Sequence, residues 1–111
     1  MAMSRRGTIN KYGARKVYTQ DGVFDSQKEY RRWRELRLCE IAGKITHLER
    51  QVAFELIPKQ DGERAVYYIA DFVYFEKGEK VVEDVKGYIT EVFKLKKKLM
   101  KWRHGIDIKI T

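Results

Sequence analysis

One carboxylate inside an apolar run constrains this chain more than any other feature. In Tyr67-Tyr68-Ile69-Ala70-Asp71-Phe72-Val73-Tyr74-Phe75 every position except Asp71 is aromatic, β-branched or small and apolar. Such a run reads as a strand. An ionised carboxylate in its middle is costly to bury without a partner. Lys77-Gly78 then supplies a turn, and Lys80–Lys86 reads as the next strand, ended by Gly87. With Lys77-Gly78 at the centre of the turn, Glu76 pairs with Glu79 and Asp71 falls opposite Asp84. Side chains alternate along a strand, so Val82, Asp84 and Lys86 share the face of Asp71, together with Ile69, Val73 and Phe75. Alternation puts Glu83 on the other face.

Like charges directly opposite one another destabilise a sheet. A divalent cation between Asp71 and Asp84 is the simplest compensation, and Lys86 on the same face is a second. The plainer alternative is that Lys86 salt-bridges Asp71 or Asp84 on a solvated face. The apolar company of Asp71 favours a carboxylate set into an apolar wall, as in a site.

The rest of the sequence frames that hairpin. Val17–Thr19 and Val23-Phe24 flank Asp21-Gly22 and read as a short N-terminal hairpin. A helix is expected from Ser26 to about Ala42, with Ser26 as N-cap and Gly43 as stop. Its apolar members are Tyr30, Trp33, Leu36, Leu38 and Ile41. Leu48–Ile57 reads as a strand ended by Pro58. A second helix is expected from about Thr90 to Arg103, docked by an apolar stripe of Val92, Leu95, Leu99 and Trp102. Ile106–Ile110 alternates as a last strand. The core order is helix, strand, strand, strand, helix, strand. This is an α/β domain, a mixed sheet flanked by helices, with a central antiparallel meander and a right-handed crossover to a parallel last strand. Residues 1–14 read as a flexible basic arm and residues 15–111 as a single domain, as a chain of 111 residues allows.

Two further groups bear on function. Ser26-Gln27-Lys28-Glu29 matches a capping box, in which Glu29 reaches back to the N-cap backbone. Glu29 also borders the buried helical row of Trp33 and Leu36, so it can instead face the sheet as a third carboxylate. Lys94, Lys97, Lys98 and Lys101 form a basic stripe on the second helix, readable as a solvated face or as phosphate contacts. Lys and Arg outnumber Asp and Glu by 24 to 16, a net charge of +8 that suits a polyanionic partner.

The single cysteine, Cys39, excludes an internal disulfide and a Cys-rich zinc site, and a reducing cytoplasm is its natural setting. His47 and His104 are isolated from any ligand cluster, so zinc or histidine-based chemistry fits poorly. Neither a signal peptide nor an apolar run of membrane-spanning length is seen.

Asp71, a turn and Asp84-Val85-Lys86 resemble the signature of the PD-(D/E)xK nuclease superfamily, in which an acid on one strand faces an acid-x-Lys on the next. Glu29 matches the glutamate that many members carry on the preceding helix, and the element order matches their restriction-endonuclease-like core. More closely, Phe24-Asp25-Ser26 with Glu29, Gln51-Val52-Ala53-Phe54-Glu55-Leu56, Tyr68-Ile69-Ala70-Asp71-Phe72 and Val82-Glu83-Asp84-Val85-Lys86-Gly87 are similar to a phage and prophage family long catalogued as a domain of unknown function. Holliday-junction resolvases and transposon end-cutting endonucleases are more distantly similar. The resemblance covers nearly everything from Lys11 onward.

It implies an endonuclease acting on DNA in a host bacterial cytoplasm, with Glu29, Asp71, Asp84 and Lys86 as catalytic residues. It implies a Mg²⁺ site, with Mn²⁺ as substitute, held by Asp71, Asp84, the backbone carbonyl of Val85 and Glu29. Lys86 would orient the attacking water. Lys94, Lys97, Lys98 and Lys101, with Arg5, Arg6 and Lys11 of the arm, would grip the DNA backbone. Structure-selective cutting or nicking is expected, and a junction resolvase would need a homodimer to cut paired strands. Neither a membrane nor a small-molecule cofactor is expected. The alternative is a phage nucleic-acid-binding module without catalysis.

Overall fold

The computed structural model describes residues 15–111. The expected basic residues Arg5, Arg6 and Lys11 lie outside that range. β1 (Val17–Thr19) and β2 (Gly22–Phe24) form the N-terminal hairpin, and α1 (Gln27–Ile41) follows. β3 (Thr46–Ile57), β4 (Val66–Glu76) and β5 (Glu79–Asp84) form an antiparallel meander. α2 (Glu91–His104) then crosses to β6 (Lys109–Ile110), which lies parallel to β5 at the sheet edge. The fold is mixed α/β in the expected order.

Local chemistry explains the boundaries. The Ser26 hydroxyl accepts the Glu29 N–H at 3.1 Å and starts α1. Thr90 does the same for Phe93 at 3.0 Å in α2, which Gly105 ends at a left-handed φ of 68°. Lys77 and Gly78 both have positive φ, 52° and 79°. That is the geometry of a tight two-residue hairpin whose twist matches its strands. It sets the register: Glu76 pairs with Glu79 and Phe72 with Glu83, so the next positions are Asp71 and Asp84.

The sheet carries a core on each side. Phe54, Leu56, Tyr68, Ala70, Val73 and Val82 pack with Phe93 and Met100 of α2. Phe72 and Tyr74 pack with Leu36 and Trp33 of α1. Tyr68 and Ala70 therefore share a side with Val73, so strict alternation along β4 slips by one at Asp71. β3 slips at the same level, with Leu48 on the α1 side and Val52, Phe54 and Leu56 on the α2 side. Gln51 stands at that level with a φ of 51°. Asp71 is thereby turned inward at 9% exposure while Ile69 is 54% exposed. The expected shared face of Ile69 and Asp71 is not present, and Phe75 is exposed as well.

Two helical faces also differ from expectation. Leu38 and Ile41 of α1 are exposed. α2 docks through Phe93 and Met100, with Leu99 partly buried, whereas Val92, Leu95 and Trp102 point outward. Phe93 and Met100 share their side of the helix with Lys96 and Lys97, which are half-buried. Long lysine stems cover apolar surface while their ammonium groups reach water. Among the described residues no helix is long and apolar enough to cross a membrane.

Candidate active site

The site lies at the middle of β4, where β5 ends, beside the first turn of α1. Asp71 Oδ2 accepts the Val85 N–H at 2.8 Å. Burial holds Asp71 well above the ordinary carboxylate range, and the neighbouring Asp84 and Glu29 push it the same way. Asp84 is buried beside it. The Lys86 ammonium lies 3.0 Å from Asp84 Oδ2. The angle is not that of a hydrogen bond, so this buried oxygen has an ionic neighbour but accepts no hydrogen bond. The plainer reading of Lys86 as a salt-bridge partner is thus correct in part: the bridge exists, but on a buried acid rather than a wet face.

Lys86 is held from several sides. Its ammonium sits 4.4 Å above the Phe93 ring, a cation–π contact. Its N–H donates to the Thr111 carbonyl at 3.1 Å. Its own carbonyl accepts the Lys28 ammonium at 3.2 Å. Tyr68 lies behind the pair. Burial raises its hydroxyl far above its usual range, and the charges of Asp84 and Asp71 and the closeness of the Asp84 carboxylate add to the rise, yet no contact of that hydroxyl has full hydrogen-bond geometry.

One side chain serves both expectations for Glu29, the first with a shift. Oε1 accepts the Asp25 N–H at 3.3 Å, one residue before the expected N–H of the N-cap Ser26, and secures the helix start. Oε2 faces the sheet, 3.4 Å from Gln51 Nε2 and 3.7 Å from Arg50 Nη2. Burial, then the Asp25 charge, raises its pKa, and Asp84 adds to the rise. Arg50 fixes this corner: it donates to the Val23 carbonyl at 2.9 Å and lies 3.7 Å over the Phe24 ring, so the β1–β2 hairpin clamps the start of α1.

Gln51 is the residue that sequence reasoning passed over. Its amide spans Glu29 Oε2 and Asp71 Oδ1, at 3.4 and 3.5 Å. The signal available was a lone amide at the head of a block of apolar alternation. What brings it to the acids is its left-handed backbone, which no local pattern announces.

These groups open onto a cleft of about 430 Å³ lined by Glu29, Asp71, Val85, Lys86 and Tyr88 and by the helix caps Ser26 and Thr90. Two helix N-termini, each carrying partial positive charge, therefore face one space. Asp84 is one layer below the wall, beneath Lys86. Val85 enters through its N–H, which is directed at Asp71.

The carboxylate oxygens of Asp71 and Glu29 suit a hard cation, and the Asp84 oxygen without a hydrogen bond fits it too. Among the described residues no group of His, Cys, Asp or Glu side chains forms a ready-made metal cage. Mg²⁺ is commonly bound without one, by a carboxylate or two plus waters and substrate phosphates. His104 donates its Nε2–H to the Glu55 carbonyl at 2.7 Å, and His47 packs edge-on against Phe75.

Glu83 is separate. It is fully buried on the α1 side, paired with Arg32 and hydrogen-bonded by Tyr74 at 2.7 Å and Thr111 at 3.1 Å. Lys94, Lys97, Lys98 and Lys101 share a shallow groove on α2 with Leu95 and Asp107, away from the acids.

Residues 9–111 match a family described as "Protein of unknown function (DUF1064)". The chain belongs to that family. The DUF1064 match spans both the acid cleft and α2, so the two are parts of one family domain. No curated protein and no solved structure matches the chain.

Proposed function

We propose that this DUF1064 chain is a metal-dependent endonuclease that hydrolyses DNA phosphodiester bonds, with Glu29, Asp71, Asp84 and Lys86 as its catalytic set. The observation that carries this reading is the pair of buried, adjacent carboxylates, Asp71 and Asp84, behind a cleft with Lys86 against them. Their position on neighbouring strands, with Glu29 on the preceding helix, is the arrangement that the PD-(D/E)xK resemblance implies and supports that reading; the phage or prophage kinship rests on the sequence resemblance alone.

Asp71 and Asp84 would hold Mg²⁺ or Mn²⁺ through carboxylate oxygens, with Glu29 reached directly or through water and the Val85 carbonyl as a further donor. A bound divalent cation neutralises the scissile phosphate and lowers the pKa of a water. Lys86 would leave Asp84 to orient the attacking water and offset charge gained by the phosphate. Gln51 would keep Glu29 and Asp71 aligned. Lys94, Lys97, Lys98 and Lys101 would contact DNA phosphates without reading sequence.

A phage DNA-binding module without catalysis uses the same lysines but leaves the buried acid pair with no role. Supercoiled plasmid and a four-way junction, incubated with the full chain and Mg²⁺, Mn²⁺ or EDTA, separate the readings. Metal-dependent cutting that Asp84→Ala abolishes is the expected result. Salt-sensitive binding with no cutting in either metal would support the binding module instead.

A further inference from the structure

Val92, Leu95, Leu99 and Trp102 follow one helical row of α2. Leu95 is 58% and Trp102 77% exposed, and Val92 is exposed as well. Lys94, Lys98 and Lys101 run along the edge of that row, Lys94 in an exposed ion pair with Glu91 at 3.1 Å and Lys101 in one with Asp107 at 3.6 Å, so an apolar track lies beside a lysine track whose surface pairs are weak enough for phosphates to displace. At the N-terminal end of α2, exposed Tyr88 and the Thr90 cap stand on the wall of the acid cleft. The surface therefore leads from Trp102 along the helix to the catalytic groups. α2 has 14 residues, and at 1.5 Å per residue such a helix is about 21 Å long, enough for a few nucleotides.

Resting on the nuclease reading, we infer that this side of α2 is a track for an unpaired DNA strand, which it delivers to the cleft. A duplex turns its phosphates outward and its base faces inward. It can satisfy the lysines, but it sets charged backbone against Leu95 and Trp102. An unpaired strand presents phosphates along one edge and base faces along the other, which matches the paired tracks. Stacking on aromatic side chains beside a basic groove is the usual way single strands are held. A second copy of the chain is a poor occupant, because it would bring Lys94, Lys98 and Lys101 against like charges. An anionic membrane also suits a basic amphipathic helix. Continuity with the cleft favours a ligand that is itself a chain.

The test is binding by the full chain in EDTA, where metal-dependent cutting does not interfere. The probes are an oligothymidylate of about 12 nucleotides, a blunt duplex of equal length and phosphatidylserine vesicles. Trp33, the only other tryptophan in the sequence, is stacked on Phe72, so quenching of the exposed indole reports on α2. The oligothymidylate should quench Trp102. Trp102→Ala should lower its affinity about tenfold while duplex affinity falls less than about twofold. Lys98→Glu should weaken both DNAs.

Equal losses for single strand and duplex in Trp102→Ala would overturn the track, as would quenching by the vesicles and not by the oligonucleotide. Strand binding on this face, with no DNA cut in Mg²⁺ or Mn²⁺, would remove the nuclease reading and keep the track. Cutting that is indifferent to an unpaired arm and to Trp102→Ala would do the reverse.

Discussion

Glu83 and Asp84 are neighbours on β5, both buried, and their surroundings are opposite in kind. Glu83 faces α1, where Arg32 pairs with it and Tyr74 and Thr111 donate to it. Despite burial, these partners hold its pKa below the ordinary 4.5. Asp84 faces the α2 side beside a second acid, and one of its oxygens accepts no hydrogen bond. Asp71, its neighbour, is displaced upward by burial and by Asp84. One carboxylate is built into the fold as a satisfied ion pair. The other two are held together at a cost, which is the arrangement expected where a cation is to be bound. Burial alone does not mark a site; the balance of partners around the buried charge does.

The largest expected effect is on chemistry. Asp84→Asn should reduce metal-dependent plasmid cutting by at least about a thousandfold, equivalent to about 4 kcal/mol of barrier, while the protein stays folded by circular dichroism. Glu83→Gln should act the other way round. It leaves the Arg32 guanidinium without its counter-charge and should cost about 3 kcal/mol of stability, a fall of more than about 10 °C in Tm for a domain of this size. Cutting should survive at temperatures where that variant remains folded. Loss of cutting in Glu83→Gln at such temperatures, or a large stability loss in Asp84→Asn, would erase the contrast.

pH separates the two sides next. Glu83 contributes stability that is present above its ordinary value of 4.5 and lost as pH falls through its lowered folded value. Asp71 has the opposite sign: its contribution is full below 3.8 and is lost as pH rises through its raised folded value. Without metal, Asp71→Asn should therefore raise the Tm most at pH 8, by less at pH 5, and hardly at all below 3.8. An amide there still accepts from Val85 and can donate to Asp84. Saturating Mg²⁺ should stabilise the native chain at pH 8 by about 1–2 kcal/mol and Asp71→Asn hardly at all, as thermal melts would show. The smallest effect belongs to Gln51→Ala. Its contacts of 3.4 and 3.5 Å are long, so stability should fall by less than about 0.5 kcal/mol, with the metal concentration for half-maximal cutting rising severalfold.

What could be read from the sequence was whatever rests on local chemistry. Lys77-Gly78 fixes the β4–β5 register because both residues take positive φ, and from that register Asp71 and Asp84 meet. Ser26 and Glu29 form the helix start because capping needs only a few neighbouring residues. Choices of face were not legible. The row Val92, Leu95, Leu99 and Trp102 looks more apolar than the row that packs, because Phe93 and Met100 share theirs with Lys96 and Lys97. Alternation failed at Ile69 and Asp71 because the left-handed Gln51 lies on the partner strand. The same bend places the Gln51 amide on the acids, so the residue hidden from sequence reasoning belongs to the site.

The most direct test of the account is Mn²⁺ binding to the full chain, followed by electron paramagnetic resonance at pH 8 for the native protein, Asp71→Asn and Glu83→Gln. The account predicts Mn²⁺ binding in the native chain, retention in Glu83→Gln and loss in Asp71→Asn. Binding that survives Asp71→Asn, or that is absent from the native chain both alone and with DNA, would contradict it.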